Sequence, residues 1–129
     1  MARKKPVIAI AYDFDGTLAK GNMQEHSFLP ELGISKSKFW KEVKRKAKEN
    51  DADEILIYMQ SMIEKAKTEE IQFTKKALKE HGKKIHLFKG VEDYFTRINQ
   101  YADNKGIKVE HFIISSGIRD IIEGTSIKK

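Results

Sequence analysis

The spacing of apolar positions changes several times along the chain, and each change marks a predicted element. Val7 to Tyr12 is an unbroken apolar and aromatic run, opened by Pro6 and closed by Asp13-Phe14-Asp15-Gly16-Thr17-Leu18. A run of that length predicts a strand buried on both faces. Residues 19–34 hold two glycines and Pro30 without a clean period, which predicts a loop with a short helix around Met23 to Leu29. From Ser35 the period becomes helical. Phe39, Trp40, Val43 and Ala47 share a face over Lys36–Glu49, with Ser35 or Ser37 as cap.

Asp51 and Glu54 have capping-box spacing ahead of a second helix carrying Ile55, Met59, Met62, Ile63 and Ala66. The methionines there read as packing residues. Thr68-Glu69-Glu70 predicts the start of a third helix through Ile71, Ala77 and Leu78, with His81 suited to its dipole and Gly82 as its stop. Val91 opens a fourth, with Tyr94, Phe95, Ile98, Tyr101 and Ala102 on one side and Asn104-Lys105-Gly106 at its end. Ile107 to Ser115 predicts a second strand, and a short helix follows over Ile118 to Glu123. A helix between two strands on short connections predicts a right-handed crossover and a parallel pair. Periodicity alone makes residues 35–82 a small helical bundle beside an α/β unit.

The chemistry sits at the strand ends. Asp13 and Asp15 are two residues apart, so in an extended backbone their carboxylates point the same way, and Gly16 turns the chain out of the sheet. Ser115-Ser116-Gly117 closes the second strand. A hydroxyl there can donate to an anion or cap the following helix.

Asp-Phe-Asp-Gly-Thr-Leu behind an apolar strand resembles the first motif of the haloacid dehalogenase (HAD) superfamily, and Phe112-Ile113-Ile114-Ser115 is similar to its second. Phe88-Lys89-Gly90-Val91-Glu92 is more loosely similar to the segment that re-enters that family's core. The resemblance implies an α/β fold: a HAD-like Rossmannoid core of parallel strands, here only the first two, with an inserted α-helical cap. The core would be residues 1–20 and 85–129, and the cap residues 21–84. It also implies Mg²⁺-dependent hydrolysis of a phosphate monoester, the substrate being a small phosphorylated metabolite. Asp13 would be the nucleophile, forming an aspartyl-phosphate, and Asp15 the acid and later the base. Gly16, Thr17, Ser115, Ser116 and Gly117 would hold the phosphate, with Ser115 the best fit to the motif. Asp13 and the Asp15 carbonyl would ligate Mg²⁺. An acid at position 15 favours phosphate esters, because dehalogenases of the family lack it.

The family's third and fourth motifs, a lysine and acidic magnesium ligands, have no counterpart. The residues after Ser115 are too few for a strand–helix–strand unit, and Lys128 and Lys129 follow it too closely. The expectation is the N-terminal part of a longer protein, with weak metal binding and little turnover on its own. The alternative is a non-catalytic module that keeps the fold and dimerises or docks through its uncovered core.

Composition narrows this further. Net charge is +6, dominated by lysine, which attracts phosphate-bearing molecules. Nucleic acid bound along the Lys36–Lys48 helix is a third reading, set below solvated lysine-rich helices because no basic-aromatic array is present. There is no cysteine, which excludes disulfides and thiolate catalysis. The four histidines lack a metal-ligand spacing. No apolar run has membrane-spanning length and no signal-peptide cleavage pattern follows the basic start, so the cytoplasm is the expected compartment.

Overall fold

The computed structural model describes residues 3–127. Lys128 and Lys129, weighed above against a missing lysine, lie outside them. In chain order the elements are β1 (Val7–Tyr12), a 3-10 turn (Met23–Glu25), α1 (Phe28–Leu32), α2 (Lys36–Glu49), α3 (Glu54–Thr68), α4 (Lys75–Lys83), α5 (Val91–Asn104), β2 (Lys108–Ile113) and α6 (Arg119–Gly124). The fold is mixed α/β. The two strands pair in parallel, in a register that sets Val7 opposite Lys108 and Tyr12 opposite Ile113.

Local chemistry explains the helix limits. The Ser35 hydroxyl accepts from Lys38 N and starts α2. Asp53, not Asp51, caps α3, its carboxylate accepting from Ile55 N at 2.7 Å. Asp51 instead takes a left-handed conformation, with φ of 49°. The third predicted helix begins later than Thr68. Glu70 is also left-handed, with φ of 55°, and breaks the chain direction. Thr74 then caps α4, accepting from Ala77 N at 3.1 Å.

Gly82 lies inside the last turn of α4 instead of ending it. A Cβ at Gly82 would stand 2.0 Å from the Ile121 carbonyl oxygen, and one at Gly124 would stand 2.0 Å from the Lys79 carbonyl oxygen. Helices α4 and α6 therefore cross backbone to backbone. The absence of side chains at both positions is what allows it.

The core lies at the carboxyl end of the sheet. Phe14, Phe28, Phe39, Met62 and Ile121 are fully buried there, drawn from the β1 exit, α1, α2, α3 and α6. Burying each phenylalanine contributes about 1.5–3 kcal/mol. Exposed ion pairs such as Arg45–Glu49 contribute at most about 1 kcal/mol, so apolar burial holds the helices together.

The strands themselves are not buried on both faces. Val7 is 54% exposed, Ile8 48% and Phe112 50%. Helix α5 covers part of one face through an aromatic cluster, with Tyr12 and Phe95 centroids 5.5 Å apart and Phe95 and His111 5.0 Å apart. Among the described residues no layer covers the opposite face. An apolar run sets a strand's hydrophobicity, whereas its burial depends on a partner layer.

His81 lies in the last turn of α4, as its spacing predicts, but it is buried there, with Nδ1 2.8 Å from the Ser27 hydroxyl and Nε2 3.2 Å from a Glu31 carboxylate oxygen. Burial pushes its pKa down against the pull of Glu31. A neutral ring satisfies both neighbours, accepting from Ser27 and donating to Glu31, and so ties α1 to α4.

Candidate active site

The parallel register brings the two motif ends to one edge of the sheet. Ile114 N donates to the Tyr12 carbonyl at 2.8 Å, so Asp13 and Ser115 both leave the carboxyl end of adjacent strands. That end is where open α/β sheets bind ligands. Beyond β1 the chain makes a tight turn in which the Phe14 carbonyl accepts from Thr17, Leu18 and Ala19. Gly16 sits at φ +77° within it, a conformation that disfavours a side chain. The chain then runs beside residues 86–88. Phe88 N donates to the Leu18 carbonyl at 3.0 Å and Lys20 N to the His86 carbonyl at 3.3 Å. The way into the helical segment and the way out of it thus lie side by side.

Asp13 is exposed, and its carboxylate accepts from Phe14 N at 2.8 Å. Asp15 is half-buried and accepts from Met23 N at 2.8 Å. Burial is the main cause of an upward pKa shift at Asp15, reinforced by the charges of Asp13 and Glu25 and opposed by the Met23 amide. An acid that keeps its proton to higher pH is suited to protonating a leaving oxygen.

On the second strand the Ser115 hydroxyl accepts from Gly117 N at 3.0 Å. Helix α6 opens at Arg119 with Ile118 in the cap position and no side-chain cap, so the serine hydroxyls do not serve the capping role open to them in the sequence. The Ser116 carbonyl accepts from the Tyr58 hydroxyl at 2.6 Å, and Ile118 N donates to Met23 Sδ at 3.1 Å. Met23 therefore links Asp15 to the loop after β2. A Cβ at Gly117 would stand 2.0 Å from Met23 Cε, so this glycine lets the methionine pass.

A cavity of about 470 Å³ opens beside these groups, walled by Asp15, Ser116 and Gly117 on the strand side and by Gln24, Trp40 and Tyr58 across from them. Tyr58 is buried, and burial with the Asp15 charge pushes its pKa up to about 12. The Trp40 indole N–H donates to Glu25 at 2.7 Å, which turns its polar edge away and leaves an aromatic wall. From the sequence, Glu25, Gln24 and the helices of residues 35–82 are candidates to shape a substrate pocket without any ranking among them; Met23, Trp40 and Tyr58 are not singled out. Their only signal was placement in the segment after Asp15, since contacts between residues 23–58 and 116–118 follow no sequence period.

Thr17 is exposed in the turn, with its amide given to the Phe14 carbonyl. For magnesium the local donors are hard oxygens, the Asp13 carboxylate and the Asp15 carbonyl, of the type Mg²⁺ takes. Among the described residues no group of three histidine, aspartate or glutamate side chains is arranged to hold a metal ion. Two protein oxygens fit such an ion chemically but do not enclose it. No described helix is long and apolar enough to cross a membrane.

No family model and no solved structure matches the chain. An uncharacterized protein of Borreliella burgdorferi is 31% identical over 137 aligned positions, which cover 98% of this chain and 48% of that protein. The chain thus spans about half the length of the curated relative it matches.

Proposed function

We propose that this chain carries the nucleophile half of a HAD-like, Mg²⁺-dependent phosphate monoester hydrolase. The observation that carries the reading is the pair at the end of β1: an exposed Asp13 beside an Asp15 held at raised pKa. In the first step an Asp13 carboxylate oxygen bonds to phosphorus as the ester P–O bond breaks, and Asp15 gives its proton to the departing oxygen. In the second step water attacks the phosphorus of the aspartyl-phosphate. Its proton passes to Asp15, the Asp13–phosphorus bond breaks, and inorganic phosphate leaves. Magnesium would screen the phosphoryl oxygens beside Asp13. The Ser115 hydroxyl accepts from Gly117 N and keeps its own O–H to donate to the same oxygens. The side-by-side entry and exit of residues 18–20 and 86–88 fit a helical insertion into such a core.

Asp13→Asn tests the reading. With p-nitrophenyl phosphate and Mg²⁺ the parent chain is expected to turn over slowly, because Asp13 and one carbonyl hold the ion weakly. The variant is expected to fall to the rate without protein. Equal rates for the two chains would sink the proposal.

A second reading is favoured by one observation, the exposed apolar strand face of Val7, Phe112 and Ile114. A patch of this kind is a docking surface, and the module would dimerise or bind another chain through it. That reading expects sedimentation equilibrium to give a dimer mass that drops when Phe112→Lys is introduced. A monomer for both chains removes the dimer.

A further inference from the structure

We infer that the cavity between Asp15 and α2–α3 is a leaving-group pocket for a ring-bearing phosphate monoester whose ring presents an N–H or O–H donor. This rests on the hydrolase reading and names the substrate class for that site.

Three features converge on that class. The cavity, about 470 Å³, is of small-molecule size, several times what a phosphate group alone fills. Trp40 lines it with its indole N–H already given to Glu25, so what it offers a ligand is ring surface. Aromatic surface of that kind favours a flat or ring-shaped group. Gln24 lines the cavity too and is 2% exposed, and its Oε1 is the one buried side-chain oxygen among the described residues with no hydrogen-bond partner. A buried acceptor left unpaired is costly, and a turn of the Gln24 side chain toward the cavity would let a ligand donor remove that cost. The remaining polar lining is weighted to acceptors, with Asp15 and Glu54 present and Lys44 the single cation. A donor-bearing ring matches this lining, whereas a second strongly anionic group does not.

Nucleosides and sugars both supply such rings, and the experiment separates them. Calorimetric titrations of the 129-residue chain with Mg²⁺ would use adenosine 5′-monophosphate, glucose 6-phosphate, benzyl phosphate and inorganic phosphate, with Trp40 fluorescence as a second readout. At least one of the first two is expected to bind ten times more tightly than inorganic phosphate and to quench Trp40. Benzyl phosphate, a ring without a donor, is expected to fall about tenfold short of it. Gln24→Leu is expected to erase that gap while leaving inorganic phosphate unchanged. If the leucine variant does not fold, the benzyl comparison on the parent chain carries the same contact. Inorganic phosphate binding as tightly as every ester overturns the pocket while sparing the hydrolase reading. Ester binding that survives Asp13→Asn and Ser115→Ala, and is matched by unphosphorylated adenosine or glucose, overturns the hydrolase reading and the inference with it.

Discussion

Gly82→Ala is expected to lower the melting temperature by roughly 10 °C, with Gly124→Ala close behind. The methyl group at position 82 meets a carbonyl oxygen of α6 at 2.0 Å, and the one at 124 meets a carbonyl oxygen of α4 at the same distance. Neither neighbour is a side-chain end that can rotate away. Relief requires the two helices to separate, which opens space around fully buried Ile121 and buried Leu78. Overpacking of this kind costs about 1–3 kcal/mol and occasionally more. At roughly 4 °C per kcal/mol for a chain of this size, a cost near the top of that range gives the stated shift. Alanine normally stabilises a helix interior by about 0.5–1 kcal/mol over glycine, so the expected sign is opposite to the helix-propensity effect. Thermal denaturation followed by circular dichroism checks it, with Gly33→Ala as a control in which a Cβ meets nothing within 4 Å. Gly33 is left-handed, with φ of 68°, so that variant carries a backbone cost of about 1–2 kcal/mol without any clash and is expected to lose less than Gly82→Ala. A rise in melting temperature for Gly82→Ala would mean that α4 and α6 do not touch as described.

The same pair of glycines shows where sequence reasoning stops. Helices α2 and α5 were legible almost to the residue, because Ser35 caps one and Asn104-Lys105-Gly106 ends the other, and both signals are local. Gly82 carries the local signature of a helix stop, yet its requirement comes from Ile121, far along the chain. His81 likewise looks like a dipole partner until Ser27 and Glu31 come into contact with it. The parallel strands were legible from their apolar runs, but their burial was not, since a run of valines and isoleucines carries no information about what covers it. The positions of Asp13 and Ser115 just past the ends of paired strands were legible, because both apolar runs stop there. The wall opposite them was legible only as an unranked stretch of the chain. Gln24, Trp40 and Tyr58 arrive from separate elements, and only the folding of α2 and α3 over the loop after β2 assembles them.

Asp15→Asn is expected to divide the two chemical steps by leaving group. With p-nitrophenyl phosphate the departing phenolate needs little protonation, so the first step survives. The second step loses the base that takes a proton from water. The variant is therefore expected to release about one p-nitrophenol per chain in a burst and then to run 10²–10⁴-fold more slowly than the parent, the usual range for a positioned acid–base group. Intact mass after the burst should show one added phosphoryl group, absent when Asp13 is also replaced. With an alkyl phosphate the leaving alkoxide needs the proton, so no burst is expected. The pH dependence follows from the direction of the Asp15 shift. Burial and the neighbouring carboxylates keep it protonated above the ordinary aspartate range, so the parent's first step on an alkyl ester should slow as pH rises through that raised value. The variant, unable to titrate at position 15, should lack that limb. Steady turnover of both esters by Asp15→Asn at the parent rate would remove Asp15 from the chemistry, and with it the reason for reading its proton affinity as functional.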